Sequence, residues 1–204
     1  MPSGKSASAE IPNACGRTLR VQRPYFRLPK LRDFFAEVYF APDFISSHSG
    51  RTVKLLLMSS PRYTTQLVTW QAAETQLRAV RTEVFIHEQH IPEALEWDGK
   101  DPHAIHALAT EFSGNPIGTG RLLLHGELAQ IGRMAVLPAW RGKGVGASLL
   151  LCLLDEARQR GAGSAFLNAQ TVAVPFYERF NFVREGTEFL EEGIPHYRMT
   201  RTLV

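Results

Sequence analysis

The sequence predicts an α/β protein with a mixed central sheet and helices on both faces. Three observations carry that prediction. Apolar residues recur at helical spacing in two long stretches, 72–88 and 145–160. Between them lie apolar runs separated by turn residues, which read as an antiparallel meander. After the second helical stretch the chain returns as a strand, and a strand–helix–strand unit pairs its strands in parallel.

Composition sets the bounds. The chain has 204 residues, 44% hydrophobic and 21% charged, as expected for one globular domain with an appendage. No apolar run reaches the roughly 18 residues that a membrane span needs, so no membrane partner is expected. The net charge is +3, but residues 1–57 hold nine Lys/Arg against four Asp/Glu. The remainder is therefore net negative, and no nucleic-acid partner is expected. Cys15 and Cys152 lie far apart in dissimilar contexts. Cys152 reads as a buried thiol, no disulfide framework is expected, and the compartment expected is reducing and cytoplasmic.

Residues 1–60 are punctuated by Pro2, Pro12, Pro24, Pro29 and Pro42 and show no sustained period. A poorly ordered extension and a start-site artefact, with Met58 as the native start, are the two main readings; a transit peptide fits less well. The folded domain is expected over 64–204. There 65–70 reads as a strand. Leu77, Val80, Val84 and Phe85 form one face of helix 72–88, which Ile91-Pro92 ends. An acidic loop runs from Glu93 to Asp101. Strands follow at 104–112, 117–125 and 127–137, with turns at Ser113-Gly114-Asn115-Pro116 and Gly126. Val145, Leu149, Cys152, Leu153 and Ala157 form the inward stripe of the next helix, widened by Leu150, Leu151 and Leu154. Arg158, Arg160 and Gly161 are its stop signal. Then come a strand at 164–169, a short helix at 174–180, and strands at 182–184 and 196–203.

The turn Arg141-Gly142-Lys143-Gly144-Val145-Gly146-Ala147 stands between a strand and a helix. Helix N-termini carry unpaired N–H groups and partial positive charge, and glycines let an anion approach them. Arg141 and Lys143 add formal charge, so the turn suits a pyrophosphate. A Walker A loop is excluded because Gly144, not Ser or Thr, follows Lys143. A dinucleotide fingerprint fits Gly142, Gly144 and Ala147, but no acid follows about 20 residues on. A third pattern, Arg/Gln-x-x-Gly-x-Gly/Ala, fits Arg141, Gly144 and Gly146.

The wider context favours the third. The run Ile131-Gly132-Arg133-Met134-Ala135-Val136-Leu137-Pro138-Ala139-Trp140 into that turn closely resembles the acyl-CoA segment of the GNAT N-acetyltransferase superfamily. Phe176-Tyr177-Glu178-Arg179-Phe180-Asn181-Phe182 is similar to that family's FYxxxGF segment, with Asn181 in place of glycine; asparagine tolerates positive φ. Val84-Phe85, Glu88-Gln89, Glu96 with Asp98, Asn168-Ala169-Gln170 and Gly193-Ile194-Pro195-His196 resemble its ElaA-type branch.

The resemblance implies the GNAT-like acyl-CoA N-acyltransferase fold and acetyl-CoA as co-substrate. Backbone groups of Met134, Ala135 and Val136 are expected along the pantetheine arm, and those of Arg141, Gly142, Lys143, Gly144, Val145 and Gly146 around the pyrophosphate. Tyr177 is expected to protonate the departing thiolate. An amine nucleophile must lose a proton, since alkylamines are protonated at neutral pH. Glu88, Glu96, Asp98 and His106 are the candidates for that task, and which of them acts is left open. Gln89, Asp98, His106, Gln170 and His196 are expected to bind the acceptor. Six carboxylates between Glu83 and Asp101, against Lys100 alone, would attract a cation or simply solvate a loop. His87, His90, His103 and His106 lack cysteine partners, and no metal is expected. The function expected is acetyl transfer to a small-molecule or protein amine by direct attack. The rival is a non-catalytic CoA-binding regulatory or interaction module on the same fold. A homodimer is compatible with the sequence.

Overall fold

The computed structural model describes residues 63–203 and two short strands, β1 (Glu10–Pro12) and β2 (Thr18–Arg20), which pair as a two-stranded sheet. The three readings of residues 1–60 otherwise lie outside the described residues. Seven strands form the main sheet: β3 (Tyr63–Val68), β4 (Ile105–Glu111), β5 (Pro116–His125), β6 (Leu128–Val136), β7 (Ser164–Gln170), β8 (Val183–Glu191) and β9 (Ile194–Thr202). Their spatial order is β3-β4-β5-β6-β7-β9-β8. Only the β6–β7 pair is parallel, so the sheet is mixed as expected.

Helices cover both faces because the strands alternate. On β4, Ala107 and Ala109 belong to the core under α3 (Val145–Gln159), whereas Leu108 between them packs with Trp70, Ala73 and Leu77 of α1 (Trp70–Arg81). Successive strand side chains point to opposite faces, so the two helices lie on opposite sides. The α3 stripe is buried at Val145, Leu149, Cys152, Leu153 and Ala157, with Leu150 and Leu154. Leu151, expected to widen it, faces solvent instead. Cys152 is disulfide-bonded rather than the free thiol expected. Gly161 ends the helix at φ +82°.

Four other elements differ from expectation. The helix expected over 72–88 is α1 followed by a π-wound segment, Thr82–Glu88. There Gln89 N–H bonds to the Val84 carbonyl, five residues back, at 3.2 Å. The acidic loop contains a one-turn helix, α2 (Glu93–Glu96), and a 3₁₀ turn, Asp101–His103. The short helix α4 (Val174–Glu178) stops before 180. Strand β8 is three times the expected 182–184, running from Val183 to Glu191. It is an exposed edge interrupted at Gly186 (φ +76°), so no apolar alternation marks it. Asn181 takes φ +59°, as its substitution for glycine led us to expect.

Strand β6 is distorted where it meets the site. Its partners on β5 run Thr119↔Ala135 and then Arg121↔Gly132, so one extra residue is accommodated on β6. Arg133 lies in this bulge at φ +52°. Bulges bend a strand and re-aim its side chains. Facing it, a Cβ on Gly120 would stand 2.5 Å from Met134 Sδ and 2.8 Å from Leu153 Cδ1. Gly120→Val is therefore expected to cost about 1–3 kcal/mol by overpacking, read as a lower urea midpoint at unchanged slope. An unaltered midpoint would contradict this close approach.

Candidate active site

The site begins where two parallel strands part. The ladder between β6 and β7 ends at Gln130↔Phe166, although β6 continues to Val136 and β7 to Gln170. The strands' last residues are thus left unpaired with each other, opening a cleft in the sheet. Leu137 N–H bonds to the Ile117 carbonyl at 2.9 Å on the β5 side, so the neighbouring Val136 N–H faces the opposite edge, toward β7. The Val136 carbonyl is already occupied, accepting from Arg141 Nε at 3.0 Å.

The cleft leads to the N-terminus of α3. Gly144 precedes that helix at φ +84° and Gly142 stands at φ +71°. The first N–H groups of a helix have no partner within it. A Cβ on Gly142 would meet nothing within 4 Å, so the open side of this turn has room for an anion. The turn therefore fits the pyrophosphate of an acyl-CoA. The side-chain charges are arranged differently from expectation. Arg141 forms a bidentate pair with Glu88, Nη1–Oε1 2.7 Å and Nη2–Oε2 2.5 Å, which holds the Glu88 carboxyl below its ordinary range. The Lys143 ammonium lies 5.2 Å from the centre of the Trp140 ring.

Beside the cleft is a cavity of about 220 Å³. Six of the residues nominated from the sequence line it: Gln89, Glu96, Met134, Gln170, Tyr177 and His196. Gln170 Nε2 donates to Gln89 Oε1 at 2.8 Å, joining β7 to the end of the π-wound segment. Tyr177 is 8% exposed and packs edge-on against Phe176 and Phe182. Burial pushes its phenol well above the ordinary value, so it stays protonated.

Glu88, Asp98 and His106 do not line the cavity. His106 is fully buried against Trp70, with Nε2 3.0 Å from the Asp101 carbonyl. Burial lowers its pKa. Asp98 makes a bidentate pair with Arg121 at 2.7 and 2.6 Å. Burial opposes its ionisation, but Arg121, the Lys100 N–H and Arg133 together outweigh burial and hold Asp98 well below the carboxylate range.

A buried ionic network underlies the cavity, and the sequence did not single out its arginines. Arg81, with no exposed surface, donates to Glu96 and, at 2.7 Å, to Asp101. Arg121 reaches Asp101 at 2.9 Å, and Arg133 Nε lies 2.9 Å from Glu96 Oε2. Arg81 and Arg133 also donate to the Glu96 carbonyl, and Arg133 to that of Leu95, capping the end of α2. Burial raises the Glu96 pKa against the pull of Arg81 and Arg133. Two arginines of this network, Arg121 and Arg133, line the cavity, as do Asn168 and Glu191. A charged residue inside an otherwise apolar strand, such as Arg121, was the available signal.

The chain is similar to known proteins. A family model described as "Acetyltransferase (GNAT) domain" matches residues 61–203. YjcF of Bacillus subtilis, described as an uncharacterized N-acetyltransferase, is 37% identical over 123 residues, spanning 60% of this chain and 87% of that protein. ElaA of Escherichia coli is 26% identical with a TM-score of 0.62, over 68% of this chain and 99% of ElaA. An acyl-CoA N-acyltransferase from Pseudomonas aeruginosa is 32% identical with a TM-score of 0.59, over 68% and 97%.

Proposed function

Because the chain belongs to the GNAT acetyltransferase family, in its ElaA-like branch, we propose that it transfers the acetyl group of acetyl-CoA to an amine by direct attack. The observation that carries this reading is the parting of β6 from β7 over the glycine-rich start of α3, with Tyr177 on the adjoining cavity. An extended pantetheine arm would pair with the free edge at Met134, Ala135 and Val136. The N–H groups from Arg141 to Gly146 would hold the pyrophosphate, with no need of the Arg141 side chain. The acceptor would occupy the cavity between Gln89, Gln170 and His196. Direct attack converts a bimolecular reaction into one between two held groups, which is where much of the acceleration would arise. The acceptor is a primary amine of a small molecule or a protein.

Acetyl-CoA at 100 times its dissociation constant is expected to stabilise the fold by about 2.7 kcal/mol, read as a rise in Tm. An acceptor screen following CoA release, including benzylamine, spermine and lysine methyl ester, is expected to give turnover. Absence of both binding and turnover would reject the reading. Binding with no turnover on any amine would favour a regulatory CoA-binding module.

A further inference from the structure

Transfer to an amine needs a group that removes a proton; of the four nominated for it, Asp98 and His106 do not line the cavity, and Glu88 and Glu96 are engaged. Both Glu88 oxygens are taken by Arg141. Glu96 Oε1 accepts from Arg81, and Oε2 lies 2.9 Å from Arg133 Nε. Protonating either carboxylate would weaken an ion pair, and for Glu96 a buried one.

His196 is placed differently. It stands on β9 opposite Gln170, is 8% exposed and lines the cavity. Its Nδ1 lies 2.8 Å from the Ile194 carbonyl oxygen. A carbonyl only accepts, so Nδ1 carries the hydrogen, and in the neutral ring Nε2 keeps its lone pair. Among the described residues Nε2 has no hydrogen-bond partner, and it is not sealed from solvent. Phe189 stacks on the ring at 6.1 Å and 27°, holding its plane. The imidazole is thus oriented, fixed in tautomer, and open on the nitrogen that can take a proton.

We propose that His196 is the general base of the reaction, acting through Nε2 on the acceptor ammonium. This rests on the acetyl-transfer reading above. The acceptor enters as R–NH3⁺ and gives one proton to Nε2, which later releases it to solvent. The neutral nitrogen attacks the thioester carbonyl; the C–N bond forms and the C–S bond breaks. The second nitrogen proton balances the one that Tyr177 gives to the departing sulfur. The products are the amide, CoA thiol and one proton. The titratable and charged groups facing His196 across the cavity are Glu191 and Glu192 of the β8–β9 hairpin, Arg121, Arg133, Glu96 and Tyr177. Asn168 holds Glu191 at 2.8 Å.

The test compares wild type with His196→Gln, using the fastest amine of the screen and measuring kcat/KM from neutral pH upward. The expected loss is about 10²-fold or more near neutrality, with acetyl-CoA affinity unchanged. The loss should shrink as pH approaches the pKa of the amine, because solution then supplies neutral nucleophile. A structural role would give a loss constant with pH, and that result, or an undiminished rate, would overturn the proposal. Imidazole ¹⁵N shifts of the wild-type protein give a second readout that does not depend on folding of the variant. The Nδ1–H tautomer is expected, and an Nε2–H tautomer would also overturn it. A wild type that turns over no amine defeats the underlying reading instead.

Discussion

Replacing Arg81 with methionine is expected to cost about 3–5 kcal/mol of folding stability, the usual result of removing one partner from a buried charge network. Arg81 has no exposed surface and its guanidinium serves both Glu96 and Asp101. It also lies 4.6 Å from the centre of the Trp97 ring. Methionine keeps the apolar stem, so the loss reports the charge. The pH dependence follows from the two carboxylates. Burial raises the Asp101 pKa, but Arg81 and Arg121 outweigh it, and the net shift is downward. A lowered carboxyl contributes stability above its unfolded pKa, lost as pH falls through the folded value. Glu96, raised by burial, has the opposite sign: its contribution is present below its unfolded pKa and lost as pH rises through the folded value. Without Arg81 both carboxyls titrate higher. The deficit of the variant should therefore be largest at neutral pH and shrink toward pH 4. Urea unfolding at both pH values measures it. A deficit under about 1 kcal/mol at neutral pH, the scale of an exposed pair, would show that Arg133 and Arg121 suffice.

This network explains where sequence reasoning stopped. The stripe of α3 was legible because five apolar residues at helical spacing can serve only one buried face. The three middle strands were legible from their apolar runs and turn residues. The order of the elements then placed the glycine turn after an antiparallel meander, and that separated it from a dinucleotide site. The pairing of Arg141 with Glu88 was not legible: the two are 53 positions apart, and glycines around an arginine suggest a bound anionic ligand rather than a carboxylate of the same chain. Arg81 reads as one of several charges on a helix until its burial is known. The bulge at Arg133 left no mark either, since a positive φ at arginine has no composition signal. Edge strand β8 was cut short because an exposed strand needs no alternation. What sequence pattern encodes is burial. The site depends on which charged side chains meet, and only the folded chain decides that.

Tyr177→Phe is expected to lower kcat by about 10²-fold, at the lower end of the range for general acid–base catalysis. The lower end follows from the leaving group. A thiol has an ordinary pKa near 8.5, so its thiolate can depart unaided more readily than an alkoxide or amide could. On the proposed mechanism a proton from Tyr177 would assist this departure without being indispensable to it. Burial keeps the phenol protonated well above its ordinary value, so the donor is present throughout the neutral range. Phenylalanine retains the edge-on contacts with Phe176 and Phe182 and removes only the hydroxyl, so stability and acetyl-CoA affinity should be preserved. The deficit should appear in single-turnover measurements, where product release cannot mask it, and should grow with acceptors whose C–N bond forms early and leaves C–S cleavage as the slow step. Proton removal and proton donation would then separate by their pH behaviour. The His196→Gln deficit should fade as the amine loses its own proton, while the Tyr177→Phe deficit should persist for as long as the buried phenol stays protonated. A Tyr177→Phe variant with the full single-turnover rate would mean that the sulfur departs as thiolate or takes its proton elsewhere, and Tyr177 would then be a packing residue of the cavity wall.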